Sequence, residues 1–220
     1  MAAAVRAAVD RHGRCSLLLS GGSTPRASYE QLAGLHRDDL PWPQVYLFWG
    51  DERYVASSDS RSNARMAREA LIDRVAVPPS NVHPIPTDLP SADAAASRYE
   101  STLRAHFSDS PPVFDLVLLG LGEDSHTASI FPGSPALAEP VRWVMAAVAP
   151  VDPPQRITLT MAVLTSAAQV YVLVSGAGKA EALRRALDPA SAPVAYPAAA
   201  LQRAGDRVVW WSDRSAAANL

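Results

Sequence analysis

With 220 residues, 48% of them hydrophobic and 19% charged, the chain has enough apolar content for a sizeable core, and its length asks for no more than one domain over 1–220. Acids outnumber bases by only 22 to 20 and no local run is polybasic, which argues against nucleic acid or an anionic membrane as a partner. The single cysteine, Cys15, excludes an intrachain disulfide, and no Cys/His cluster has the spacing of a metal site.

Along the chain, Arg6, Asp10, Arg11 and Arg14 interrupt the N-terminal run where a secretory signal needs an unbroken apolar stretch. No later run reaches membrane-spanning length, so a cytoplasmic protein without a membrane partner is expected. Short apolar runs predict strands at Cys15 to Leu19, Val45 to Trp49, Phe114 to Leu119, Val141 to Val148, Val170 to Val174 and Val208 to Trp211. Several are apolar throughout, as strands buried on both faces of a parallel sheet are. Between them Pro25 to Leu35, Ser62 to Val75, Ser91 to Phe107, Met161 to Ser166 and Ala177 to Leu187 predict helices. Proline clusters mark connections too short to be domain linkers. The alternation predicts an α/β fold: a Rossmann-like, mostly parallel sheet with helices on both faces.

Four strand ends carry polar, glycine-bearing turns: SGGSTP (20–25), GDERY (50–54), GLGEDSHT (120–127) and SGAGK (175–179). In a parallel sheet these share the carboxyl edge, where open α/β folds bind ligands, and the active site is expected there. In SGGSTP, Gly21 and Gly22 allow close backbone approach, Ser23 and Thr24 offer hydroxyls, and a helix begins. Free N–H groups at the positive end of a helix dipole suit a phosphate, although a tight turn with a Ser/Thr cap has the same sequence. Lys179 is the only lysine among 20 basic residues and follows a glycine turn, where a flexible point cation suits a phosphate; a solvated residue at a helix start is the competing account. Arg156, opening RITLTM, is a second cation that a surface position explains as well, and Arg53 has Asp51 and Glu52 beside it as salt-bridge partners. His126 sits where a strand is expected to turn into a helix, with Asp124 two residues earlier. A neutral imidazole held at one nitrogen by a carboxylate can take a proton from water at the other. A histidine capping a helix is the alternative.

Taken in order, LSGGSTP, FWGDERYVASSDSRSN, FDLVLLGLGEDSHTASIFPG, RITLTM and SGAGKAEAL resemble the successive motifs of the 6-phosphogluconolactonase family, within the wider glucosamine-6-phosphate deaminase-like superfamily, over residues 16 to 187. The resemblance implies hydrolysis of 6-phospho-D-glucono-1,5-lactone to 6-phospho-D-gluconate in the oxidative pentose phosphate pathway. No metal or organic cofactor is implied. The partner would be the sugar-phosphate lactone itself, bound by a monomer or weak homo-oligomer. Carried over by position, His126 would activate water and Asp124 would orient it, while Gly21, Gly22, Ser23 and Thr24 would cradle the phosphate with Lys179 and Arg156 or Arg53. The absence of a GxSxG elbow agrees with direct attack by water.

One residue departs from the pattern. The family usually has glycine before the histidine, in GxDGHTAS, and Ser125 stands there; if the position needs positive φ, serine costs on the order of 1 kcal/mol. Leu121, where the family commonly has methionine, is a mild apolar change. A glucosamine-6-phosphate isomerase/deaminase on the same scaffold would have an aromatic after Asp51 and Glu52, where this chain has Arg53. A non-catalytic sugar-phosphate sensor would need the phosphate turns but not Asp124 and His126 together. A dinucleotide-binding oxidoreductase read from GLGEDS lacks the third glycine.

Overall fold

The computed structural model describes residues 1–108 and 110–220. In chain order the elements are α1 (Ala2–His12), β1 (Cys15–Leu19), α2 (Ser23–Leu35), β2 (Val45–Trp49), β3 (Asp51–Arg53), α3 (Asn63–Ala70), β4 (Val82–His83), α4 (Ala92–His106), β5 (Leu116–Gly120), β6 (Val144–Val148), β7 (Gln155–Leu159), α5 (Met161–Ser166), β8 (Val170–Val174), α6 (Ala180–Leu187) and β9 (Val208–Ser212). One sheet runs β4-β2-β1-β5-β8-β9, parallel at every pairing. Its order reverses direction between β1 and β5. Right-handed crossovers on the two sides of that point put their helices on opposite faces, and a crevice opens where the directions part.

Burial follows from this arrangement. All five residues of β1 are buried, as are Leu116 to Leu119 of β5, because helices cover both faces. β9, an edge strand, keeps Trp211 55% exposed. The core gathers on these central strands with Tyr29, Trp42, Phe48, Tyr99 and Phe114 packed against them.

A second, antiparallel sheet, β3-β7-β6, changes part of the sequence-based expectation. The run Val141 to Val148 forms only β6, from Val144, and pairs with β7 rather than joining the parallel sheet. GDERY is not a simple turn: after Gly50 the chain leaves the parallel sheet and Asp51–Arg53 becomes β3, in register with Thr158, Ile157 and Arg156. Gly50 fastens the two sheets, its N–H donating to Leu19 O at 2.9 Å and its carbonyl accepting from Leu159 N at 2.8 Å. The stretch Ser62 to Val75 is α3 followed by a 3₁₀ turn, Ile72–Arg74. The expected helix from Ala177 opens as a 3₁₀ turn, Ala177–Lys179, before α6. α1, β3, β4, β7 and a 3₁₀ segment, Pro197–Arg207, are further elements the sequence reading did not place.

Candidate active site

The carboxyl ends of β1, β2, β5 and β8 do converge. A cleft of about 280 Å³ over the switch point is lined by Gly21, Gly22, Ser23 and Thr24 from the first turn, Arg53 and Arg156 from the antiparallel sheet, His126 from the third turn and Lys179 from the fourth. Of the residues expected from sequence, Asp124 alone is not in the lining; it stands behind His126.

The first turn is tied from below, where Tyr29 Oη donates to Ser20 O at 2.9 Å and accepts from Ser20 N at 2.8 Å. Gly22 takes φ 107°, ψ 165°, a conformation that glycine tolerates and other residues do not, and serves as the N-cap of α2 without any side-chain cap. The first N–H groups of a 13-residue helix therefore lie uncapped at the cleft, a ready place for an anion.

His126 is not at a helix start. The chain after β5 forms a tight loop in which Gly122 N donates to His126 O at 2.8 Å, Ser125 N to Gly122 O at 3.1 Å and Thr127 Oγ1 to Gly120 O at 3.0 Å. Ser125 and Ala128 have φ of 63° and 50°, which bars a right-handed helix there. The cap account of His126 thus has no helix to cap. Asp124 Oδ1 lies 2.5 Å from His126 Nδ1 and 3.1 Å from its backbone N. An ionised carboxylate accepts only, so Nδ1 carries the hydrogen and Nε2 is left as acceptor. Gly122 makes room for the pair, since a Cβ on it would fall 2.0 Å from Nδ1 and 2.6 Å from Asp124 Oδ1. Phe131 lies against the imidazole, ring centroids 4.4 Å apart.

Across the cleft stand the cations. Among the described residues, Arg53, Arg156 and Lys179 enter no ion pair. Arg53 donates from Nη1 to Arg61 O at 2.5 Å, and its Nε is buried without an acceptor. Its two acidic neighbours are otherwise engaged. Alternation along β3 sends Glu52 to the other face, where it accepts from Asn63 N and Ala64 N, while Asp51 accepts from Ser129 Oγ at 2.7 Å. Arg156 is not a surface residue: it is 5% exposed, its Nε donates to Pro153 O at 2.8 Å, and it stands directly opposite Arg53. Burial, and next the neighbouring Arg53 charge, push its guanidinium below the usual range. Two adjacent guanidiniums, an ammonium and a helix N-terminus on one cleft make a site for a polyanionic group.

Sequence reasoning missed Asp51, Asn63, Ser20 and Ser129 as parts of this wall. Asp51 and Asn63 lie inside the motif FWGDERYVASSDSRSN, but their meeting across a dozen residues depends on β3 turning back toward α3. Among the described residues no group of three His, Cys, Asp or Glu is arranged to hold a metal, and no helix is long and apolar enough to cross a membrane.

Comparison with known proteins agrees with this architecture. A sequence model of the family described as glucosamine-6-phosphate isomerases/6-phosphogluconolactonase matches residues 1–210. A 6-phosphogluconolactonase of Synechocystis sp. is 42% identical over 216 residues, spanning 97% of this chain and 88% of that one. A 6-phosphogluconolactonase of Mycobacterium tuberculosis is 41% identical, spanning 99% and 90%. Among solved structures, the 6-phosphogluconolactonase of Trypanosoma brucei superposes with a TM-score of 0.86 at 32% identity over 99% of this chain and 90% of that one. A monomeric glucosamine-6-phosphate deaminase, at 22% identity and a TM-score of 0.82, shares the fold. With the matched motifs folded onto one cleft at the switch point, the chain belongs to the glucosamine-6-phosphate isomerase/6-phosphogluconolactonase family.

Proposed function

We propose that this chain is a lactonase that hydrolyses 6-phospho-D-glucono-1,5-lactone to 6-phospho-D-gluconate, with water as the nucleophile, serving the oxidative pentose phosphate pathway in the cytoplasm as a monomer or weak homo-oligomer. The observation that carries this reading is the pairing, on one cleft, of a carboxylate-oriented imidazole with three cations that enter no ion pair among the described residues. The cations and the N-terminus of α2, with Gly21, Gly22, Ser23 and Thr24, receive the 6-phosphate. That contact fixes the lactone and brings its carbonyl carbon toward His126, so binding energy from a remote group is spent on orientation.

His126 Nε2 then takes a proton from water as the oxygen bonds to the carbonyl carbon. Asp124 holds the ring's tautomer and stabilises the imidazolium that forms. Collapse of the tetrahedral adduct breaks the bond from C1 to the ring oxygen. The imidazolium returns its proton to that oxygen, which becomes the 5-hydroxyl of the product acid, and His126 ends neutral. One water is consumed and nothing is oxidised or reduced.

The test is a coupled assay with freshly generated lactone at neutral pH, corrected for spontaneous hydrolysis. The expected result is acceleration by the purified chain without added metal and an unchanged rate in EDTA. A rate equal to the spontaneous one would reject the reading, and loss of rate on chelation restored by a divalent ion would reject the metal-free mechanism.

A further inference from the structure

Resting on the lactonase reading, we propose that Asn63 is a positioning residue that sets the height of the phosphate turn against Asp51, and that Gly21 is glycine in order to receive it. Asn63 opens α3, is 1% exposed and lines the cleft. Its Nδ2 donates to Asp51 O at 3.0 Å and to Asp51 Oδ1 at 3.3 Å. Those bonds fix which way the amide faces, because exchanging its oxygen and nitrogen would press a carbonyl oxygen on two acceptors. Oδ1 is therefore turned toward the first turn, buried and without a donor.

There it meets Gly21. A Cβ on that residue would fall 1.9 Å from Asn63 Oδ1, 2.4 Å from Cγ and 2.8 Å from Nδ2, and those are the three nearest atoms. Gly21 is not among the glycines with left-handed φ, so its backbone does not demand glycine. What excludes a side chain is the Asn63 amide. A buried acceptor left without a donor costs stability, and such costs persist where they shape a site. Asn63 thus touches both walls of the cleft: the backbone that carries the phosphate cradle, and Asp51, which is held on its other side by Ser129. Moving that amide would move the cradle relative to the wall facing the rest of the sugar.

A double-mutant cycle tests the assignment, with kcat and KM for the phosphorylated lactone measured on wild type, Asn63→Ala, Gly21→Ala and the pair. Asn63→Ala should raise KM about tenfold with kcat within about threefold, and Gly21→Ala alone should raise KM at least as much. In the Asn63→Ala background, where the obstructing atoms are gone, Gly21→Ala should cost about twofold or less. Additive costs, or an unchanged KM in Asn63→Ala, overturn the assignment. Should Asn63→Ala fail to fold, Asn63→Ser frees the same space and carries the same cycle. Failure of both to fold makes Asn63 a structural residue and also overturns it. An inactive wild type fails the lactonase reading, and this assignment with it, on the wild-type arm alone.

Discussion

At the scale of single residues, His126 and Ser125 do different work in one loop. If His126 is the base, His126→Ala should lower kcat by roughly 10²- to 10⁴-fold with KM nearly unchanged, since the residues proposed to hold the phosphate line other parts of the cleft. A folded variant with wild-type kcat would remove His126 from the chemistry. Ser125 sits at φ 63°, so the position the family usually fills with glycine does need the left-handed region here. Its hydroxyl donates to Ala182 O at 3.3 Å, a contact from the loop to α6. Ser125→Gly gives up that bond, worth about 0.5–1.5 kcal/mol, and relieves strain of about 1 kcal/mol, so its melting temperature should stay near wild type. Ser125→Ala keeps the strain and loses the bond, and should melt about 2–4 °C lower. A clear rise in Ser125→Gly would mean that the hydroxyl adds nothing. The glycine preference was legible through the motif; the compensating bond was not, because Ala182 lies 57 residues away in sequence.

The element scale shows why some of the architecture was legible and some was not. Strands buried on both faces announce themselves as apolar runs, and β1, β2, β5 and β8 were readable for that reason. β7, with Gln155, Arg156 and Thr158 among five residues, has no such run, and β3 is three charged residues that look like a turn. The consequence reaches the site: the sequence presents Arg53 and Arg156 as independent cations with surface or salt-bridge alternatives, and only the β3–β7 pairing puts them side by side. What holds β3 to α3 is Glu52, 1% exposed, accepting from Asn63 N at 2.7 Å, Ala64 N and Arg53 N at 2.8 Å and Ser62 Oγ at 3.0 Å. Burial pushes this carboxyl above its usual range while the backbone donors pull it back. A carboxylate there closes the first turn of α3, and an amide would set N–H against N–H. Glu52→Gln should therefore cost about 3 kcal/mol and lower the melting temperature by on the order of 6–12 °C. It should also raise KM, because Arg53 and Asn63 are both bonded to that side chain. A Gln variant with unchanged melting would sink this account of how the two elements are joined.

At the scale of the whole molecule, acid should unfold the protein from the face of the sheet that carries His106. This histidine ends α4, its ring lies 4.8 Å from Phe48 and 4.9 Å from Phe107, and Nε2 is 3.0 Å from Ser16 Oγ. Burial, then the charges of Arg14 and His83, push it down to about 4, and burial lowers His83 as well. The native state therefore keeps this imidazole neutral in a range where the unfolded chain, with a histidine value of roughly 6.5, takes up a proton. The contribution to stability is complete above about pH 6.5 and is lost as pH falls through that value toward about 4. The depressed carboxylates, among them Asp59 and Glu181 at about 2 and the buried Glu100, lose their contribution only as pH falls below the ordinary carboxylate values of about 4, so they weigh on the lower end of this window and not on its upper part. Glu52 works in the opposite sense, since its raised carboxyl favours folding as pH falls. Urea midpoints should fall between about pH 6.5 and 4, and His106→Phe, which keeps the aromatic packing, should flatten that fall. Equal slopes in both proteins would assign the acid loss elsewhere. The same pair of proteins separates the two histidine roles in any pH–rate profile: rate lost together with the urea midpoint, and restored by His106→Phe, belongs to the sheet, while rate lost at constant fold belongs to the cleft.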